Sequence, residues 1–185
     1  MARVLIPLAN GFEDIEAVTA ADVLRRGGVE VVVASIHDSL EVRGAHGMNT
    51  KADALFSAVA DEVFDAVLLP GGGEGTENLK NSQAVISRLR RQKEDGGLLC
   101  AICAAPIVLV AAEVLERNTQ ITCYPTCQME LDRSWNPSPV IVDGQFITGQ
   151  APGTAMLFAL VVLQTLVGPT VAKKVARGMV TDVLD

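Results

Sequence analysis

The sequence predicts one α/β domain in which a mostly parallel sheet is covered by helices on both faces. Short β-branched runs alternate with amphipathic stretches from one end of the 185 residues to the other, with no low-complexity linker and no internal repeat. Hydrophobic residues make up 49% of the chain and aromatic residues only 4%, so the core is aliphatic, as suits strands buried on both sides. A chain of this length forms a single domain, 1–185, with a sizeable core.

The elements follow in order. Residues 3–8 read as the first strand, and the loop Asn10-Gly11-Phe12 leads into a helix over 14–26 that Gly27-Gly28 stops. A second strand covers 29–35. Residues 41–50, with Gly44 and Gly47, read as a small hairpin or irregular ribbon. A third buried strand at 66–69 ends in Pro70-Gly71-Gly72-Gly73, and a helix over 83–94 follows. The cysteine-bearing strand begins after Gly96-Gly97, and a helix over 107–115 comes after it. Residues 139–142 and 145–148 straddle Asp143-Gly144 as a hairpin. A long buried helix starts near Pro152-Gly153-Thr154, and a shorter one covers 170–177.

Charge and hydropathy narrow the function. The net charge of −7 opposes a general nucleic-acid-binding role, which needs a basic stripe. The one basic cluster, Arg88-Leu89-Arg90-Arg91-Gln92-Lys93, falls in a helical pattern and reads as a solvated face. The most apolar stretch, 156–167, is too short to span a bilayer. The first apolar run leads directly into Glu13 and Asp14 rather than a cleavage site, so a cytoplasmic protein is expected. In that compartment four cysteines serve core, catalytic or metal roles rather than structural disulfides.

Cys103 is the most informative residue. It stands where an apolar strand meets a helix start marked by Pro106, the sharp turn on which α/β enzymes display a nucleophile. A helix N-terminus favours thiolate there, so a lowered thiol pKa is expected. Local context leaves a second reading open, that of a small buried core residue. Glu13 and Asp14 suit the first turn of a helix; Glu16 lies one turn in, where two readings stay open, a carboxyl facing the sheet rim or a solvated residue that stabilises the helix start as they do. In a partly apolar pocket its pKa rises and it can exchange protons with a neighbour. Gly71-Gly72-Gly73-Glu74-Gly75 lacks the Lys-Ser/Thr of a phosphate loop; it is either a tight turn or a place where backbone N–H groups approach an oxyanion.

Cys100 and Cys103 form a C-x-x-C, and Cys123 with Cys127 a C-x3-C. Zinc ligation by all four is disfavoured because Cys100 lies inside the strand run. His37 and His46 both precede Cys103, so no triad with a downstream histidine exists.

Four motifs in order, Gly11-Phe12-Glu13-Asp14-Ile15-Glu16-Ala17-Val18, Leu69-Pro70-Gly71-Gly72, Ala101-Ile102-Cys103-Ala104-Ala105-Pro106 and Gly149-Gln150-Ala151-Pro152-Gly153-Thr154, resemble the ThiJ/PfpI superfamily. The similarity is greatest to its Parkinson-disease protein deglycase branch and the bacterial ThiJ-like relatives. The resemblance implies a flavodoxin-like three-layer sandwich, a homodimer and no required cofactor or metal. It implies that Cys103 is the nucleophile and the oxidisable sulfur, that Glu16 is its acid partner, and that the N–H groups of Gly72 and Ala104 form the oxyanion site. The implied activity is that of a glutathione-independent glyoxalase or a deglycase, acting on methylglyoxal, glyoxal or early glycation adducts of protein and nucleotide. The alternative is a redox-sensing chaperone in which Cys103 is oxidised to sulfinate with little turnover.

Two departures matter. Where the branch's animal members carry a histidine near the cysteine, this chain has Tyr124 as the pocket residue, and a phenol is a poor general base near neutral pH. The protease-like members carry a histidine directly after the cysteine, whereas Ala104 stands here, which opposes peptidase activity.

Overall fold

The computed structural model describes residues 1–131 and 135–182. Its first half runs β1 (Arg3–Leu8), α1 (Asp14–Arg26), β2 (Glu30–Ser35), β3 (Glu41–Arg43), β4 (Asn49–Lys51), β5 (Ala54–Leu55), α2 (Phe56–Val59) and β6 (Ala66–Leu69). There follow α3 (Gly73–Asn81), α4 (Gln83–Glu94), β7 (Leu98–Ile102), α5 (Pro106–Ala111), β8 (Val140–Asp143), β9 (Phe146–Gly149), α6 (Ala155–Val167) and α7 (Pro169–Gly178). The main sheet has the order β5-β2-β1-β6-β7-β9-β8, and only the β8–β9 pair is antiparallel. The predicted α/β architecture is therefore the one adopted.

Strand alternation assigns the layers. Val4, Ile6 and Leu8 of β1 pack into one apolar cluster with α1, α6 and α7, while Leu5 packs into a second with α4 and α5. The other central strands divide likewise: Cys100 and Ile102 of β7 face the first cluster, Leu99 and Ala101 the second. Between β1 and β6 the winding reverses direction, which opens a crevice at the carboxyl ends of the strands. The first turns of α1 and α3 and the β7–α5 turn surround it.

Several elements depart from the sequence reading. The helix expected over 107–115 stops at Ala111, because Glu113 takes a left-handed φ of 58° and the Val114 N–H turns back to the Leu109 carbonyl. Helix α3 was not foreseen, since Leu79 is its one large apolar residue. What holds it is local: Gly75 N–H donates to the Gly11 carbonyl at 3.1 Å, tying its first turn to the loop after β1. The basic cluster is not simply a solvated face. Arg88 is 4% exposed, with its guanidinium 5.8 Å from the Phe64 ring centre, and Arg90, Arg91 and Lys93 are all paired with acids. No helix among the described residues is long and apolar enough to cross a membrane.

Candidate active site

Cys103 sits at the turn its sequence context predicts. It follows β7 directly, and its φ of 64° is left-handed, a conformation that costs a non-glycine residue about 1–3 kcal/mol. Bonds on both sides of the residue hold it there. Its N–H donates to the Gly149 carbonyl at 3.0 Å, and its own carbonyl accepts from the Tyr124 N–H at 2.8 Å. The side chain is turned into the crevice and the residue is 8% exposed.

Glu16 reaches the same point from α1. Glu13 caps that helix by accepting from the Ile15 N–H at 3.1 Å, so Glu16 falls one turn in, on the face that packs against the sheet, and is 1% exposed. Its Oε2 accepts from the Gly71 N–H at 2.7 Å. Gly71 is the floor between the two functional groups: a Cβ there would lie 2.8 Å from the Cys103 Cβ and 2.8 Å from Glu16 Oε2. Gly72 beside it has a φ of 93°, and a side chain at that position would run into the Gly11 carbonyl and the Glu13 N–H.

Electrostatics follow from this packing. Burial raises Glu16 from 4.5 to about 7, against the Gly71 hydrogen bond and the Cys103 thiol, which favour the carboxylate; the Glu13 charge adds to the rise. The thiol is pushed up as well, by burial first and then by the charge and hydrogen bonding of Glu16, while the N–H groups of Ala104 and Gly72 pull it down. The lowered thiol pKa expected from sequence is therefore not what the surroundings give. Helix α5 has only six residues and starts three positions beyond the sulfur, so its dipole is a weak counterweight to burial beside a carboxylate. Glu16 Oε1 is buried without a partner of good hydrogen-bond geometry, although the carboxyl and the thiol are close enough to shift each other's proton affinity.

The structure places the remaining sequence candidates as follows relative to this pair. Gly72 and Ala104 both direct backbone N–H groups at the sulfur. Tyr124 is 41% exposed and holds the site through its backbone, by the bond to Cys103. The four cysteines do not gather around one point. Cys100 is wholly buried within β7, and no set of three or more metal-binding side chains among the described residues includes a cysteine. His37 accepts from the Asn10 N–H at 3.0 Å through Nε2, and His46 faces Glu13 and Asp14 at 3.4 and 3.3 Å. The sequence reading did not foresee that Glu13 and Asp14 would be 6% and 5% exposed; only the fold of the 44–48 loop over the start of α1 buries them.

This cysteine turn, buried carboxyl and glycine floor occur in a fold shared with known proteins. Residues 2–165 match the model of the DJ-1/PfpI family. The chain belongs to that family. Among curated family relatives it is 39% identical to the DJ-1 homolog B of Arabidopsis thaliana over 96% of its own length, yet it spans only 41% of that protein and 45% of the Arabidopsis homolog A. It is 33% identical to a protein of Caenorhabditis elegans named a glutathione-independent glyoxalase, over 91% of this chain and 89% of that one. Its fold superimposes on oxidised DJ-1 of Toxoplasma gondii with a TM-score of 0.94 and 37% identity, covering 98% of this chain and 99% of the other.

Proposed function

We propose that this DJ-1/PfpI protein is a cysteine-dependent, glutathione-independent glyoxalase that also removes early glycation adducts from protein or nucleotide. The observation that carries the reading is the buried Cys103–Glu16 pair, in which the carboxyl has a pKa of about 7. A group with that value both accepts and returns a proton near neutral pH. The name of the Caenorhabditis elegans relative supports the substrate class.

In the proposed cycle the Cys103 thiol gives its proton to Glu16 and the sulfur adds to the aldehyde carbon of methylglyoxal or glyoxal. The oxyanion of the resulting hemithioacetal accepts from the Gly72 and Ala104 N–H groups. Glu16 returns the thiol proton to that oxyanion, and the freed carboxylate then carries a proton from the same carbon to the adjacent carbonyl carbon while the hydroxyl proton passes to the neighbouring oxygen, leaving a thioester. Water cleaves it to lactate or glycolate and restores the thiol. For a glycation adduct, attack at the corresponding carbon releases the repaired amine instead. The dimer that accompanies this reading is supported by Ile15, Val18 and Met48, large apolar residues 57%, 47% and 56% exposed on α1 and the neighbouring ribbon tip.

The test is lactate formation from methylglyoxal without glutathione, comparing the wild type with Cys103→Ala at equal folding. Activity lost in the variant is the expected result; equal lactate from both proteins overturns the reading. A second reading, oxidation of Cys103 to sulfinate as a sensing event, draws on the same N–H groups and on the oxidised state of the Toxoplasma gondii structure. Absence of turnover in the wild type, together with selective gain of two oxygens on Cys103 under mild peroxide, favours it.

A further inference from the structure

Two cysteines that the proposed reaction does not use converge on one oxygen beside the site. The Tyr124 carbonyl accepts from the Cys123 thiol at 3.2 Å and from the Cys127 N–H at 2.9 Å. The second bond closes a tight turn, which Pro125 starts and the 3₁₀ segment Pro125–Glu130 continues. The turn folds the chain back between Tyr124 and Cys127. Both side chains pack in the same small apolar cluster with Ile121, Leu131 and Trp135, where Cys123 is wholly buried and Cys127 half-buried.

We infer that Cys123 and Cys127 are a peroxide-responsive dithiol that closes to an intrachain disulfide next to the active-site turn. Cys127 is the entry point because it is the one that solvent reaches; burial raises its thiol, and the Thr126 hydroxyl beside it offsets part of that rise. Its sulfur attacks the peroxide O–O bond, giving a sulfenic acid and one molecule of water. The Cys123 sulfur then attacks the sulfenic sulfur, forming the S–S bond and expelling a second water. Two thiols are oxidised and one hydrogen peroxide is reduced to two waters. Burial holds the Cys123 thiol up at about 12 and raises that of Cys127, so closure is slow and records sustained exposure. The consequence reaches the nucleophile, because the residue between the two sulfurs, Tyr124, is the one whose N–H holds the Cys103 carbonyl at 2.8 Å.

The sequence makes this site easy to isolate. Trypsin cuts after Arg117 and Arg133, so peptide 118–133 contains Cys123 and Cys127 and no other cysteine, while Cys100 and Cys103 travel in peptide 94–117. Folded Cys103→Ala protein is treated with hydrogen peroxide, alkylated under denaturing conditions and digested. The expected peptide 118–133 is two hydrogens lighter, takes up no alkylating agent, and takes up two equivalents after reduction with a dithiol. Oxygen added at Met129 leaves the alkylation count unchanged. Cys127→Ser removes the protected form, and its folding is checked by the unchanged far-ultraviolet circular dichroism. Two alkylated cysteines after peroxide, a sulfinate or sulfonate on Cys127 without closure, or a crosslink to Cys100 each overturns the inference. None of these outcomes depends on glyoxalase turnover, so the fate of the proposed function is read separately.

Discussion

The Gly71 N–H donates to Glu16 Oε2 at 2.7 Å, while Oε1 of the same carboxyl is buried without a partner of good hydrogen-bond geometry. Without this bond a carboxyl 1% exposed would rise further still, toward permanent protonation, and would no longer act as a base. With it, burial and hydrogen bonding balance near neutrality. After burial, the largest influence on this carboxyl is a backbone group, and the Cys103 thiol and the Glu13 charge come after it.

Replacing Glu16 with Gln separates two effects that usually move together. The neutral amide removes the proton carrier, so lactate formation is expected to fall by about 10²-fold or more. It also removes the charge that raises the Cys103 thiol, so the thiol should ionise at lower pH than in the wild type. The rate of iodoacetamide labelling at Cys103 against pH measures this. A thiol that ionises at the same or higher pH in the variant contradicts the electrostatic assignment.

Gly71→Ala probes the floor of the site. The added methyl meets the Cys103 Cβ and Glu16 Oε2 at 2.8 Å each, so the pair must separate or the β6–α3 loop must move. Overpacking of this kind destabilises by about 1–3 kcal/mol. The expected variant is folded, with a urea midpoint lowered accordingly, and has lost most of its turnover. Wild-type turnover in Gly71→Ala would show that close approach of the two groups is unnecessary.

Tyr124 contributes its N–H, not its phenol, to the turn at Cys103. Tyr124→Phe is therefore expected to keep turnover within about twofold, since a surface change that spares the backbone bond alters little. Steady-state kinetics on methylglyoxal decide it. A drop in kcat of tenfold or more assigns the hydroxyl a part in proton transfer.

Strands β1, β2, β6, β7, β8 and β9 and helices α1 and α4 were legible because their apolar residues repeat at strand or helix spacing and glycine or proline marks their ends, whereas the two-residue β5 is too short to show any repeat. Helices 14–26 and 83–94 and strand 66–69 have the bounds read from sequence. Cys103 was legible for the same reason, as a strand end followed by Pro106. Helix α3 was not, because loop hydrogen bonds at Gly11 and Gly72, rather than an apolar stripe, hold its first turn. The proton affinity of Cys103 was misread because it is set by burial first and then by Glu16, which comes from a chain segment far away in sequence. Arg88 was misread because charge patterning on one helix cannot show that the Phe64 ring covers it.

The raised pKa of Glu16 also predicts how stability varies with pH. In the folded chain the group titrates near 7, whereas in the unfolded chain it returns to about 4.5. Between these values the folded state binds the extra proton, so this contribution is fully present below pH 4.5 and is lost as pH rises through 7. Its full span is roughly 3 kcal/mol. Urea unfolding at pH 5 and at pH 8 should show the wild type losing stability across that interval. Glu16→Gln cannot titrate, so its loss should be smaller by a comparable amount, and it should unfold at higher urea than the wild type at pH 8. Equal pH dependence in the two proteins would mean that the carboxyl titrates at the same pH folded and unfolded, and the balance of burial and hydrogen bonding argued for Glu16 would fall with it.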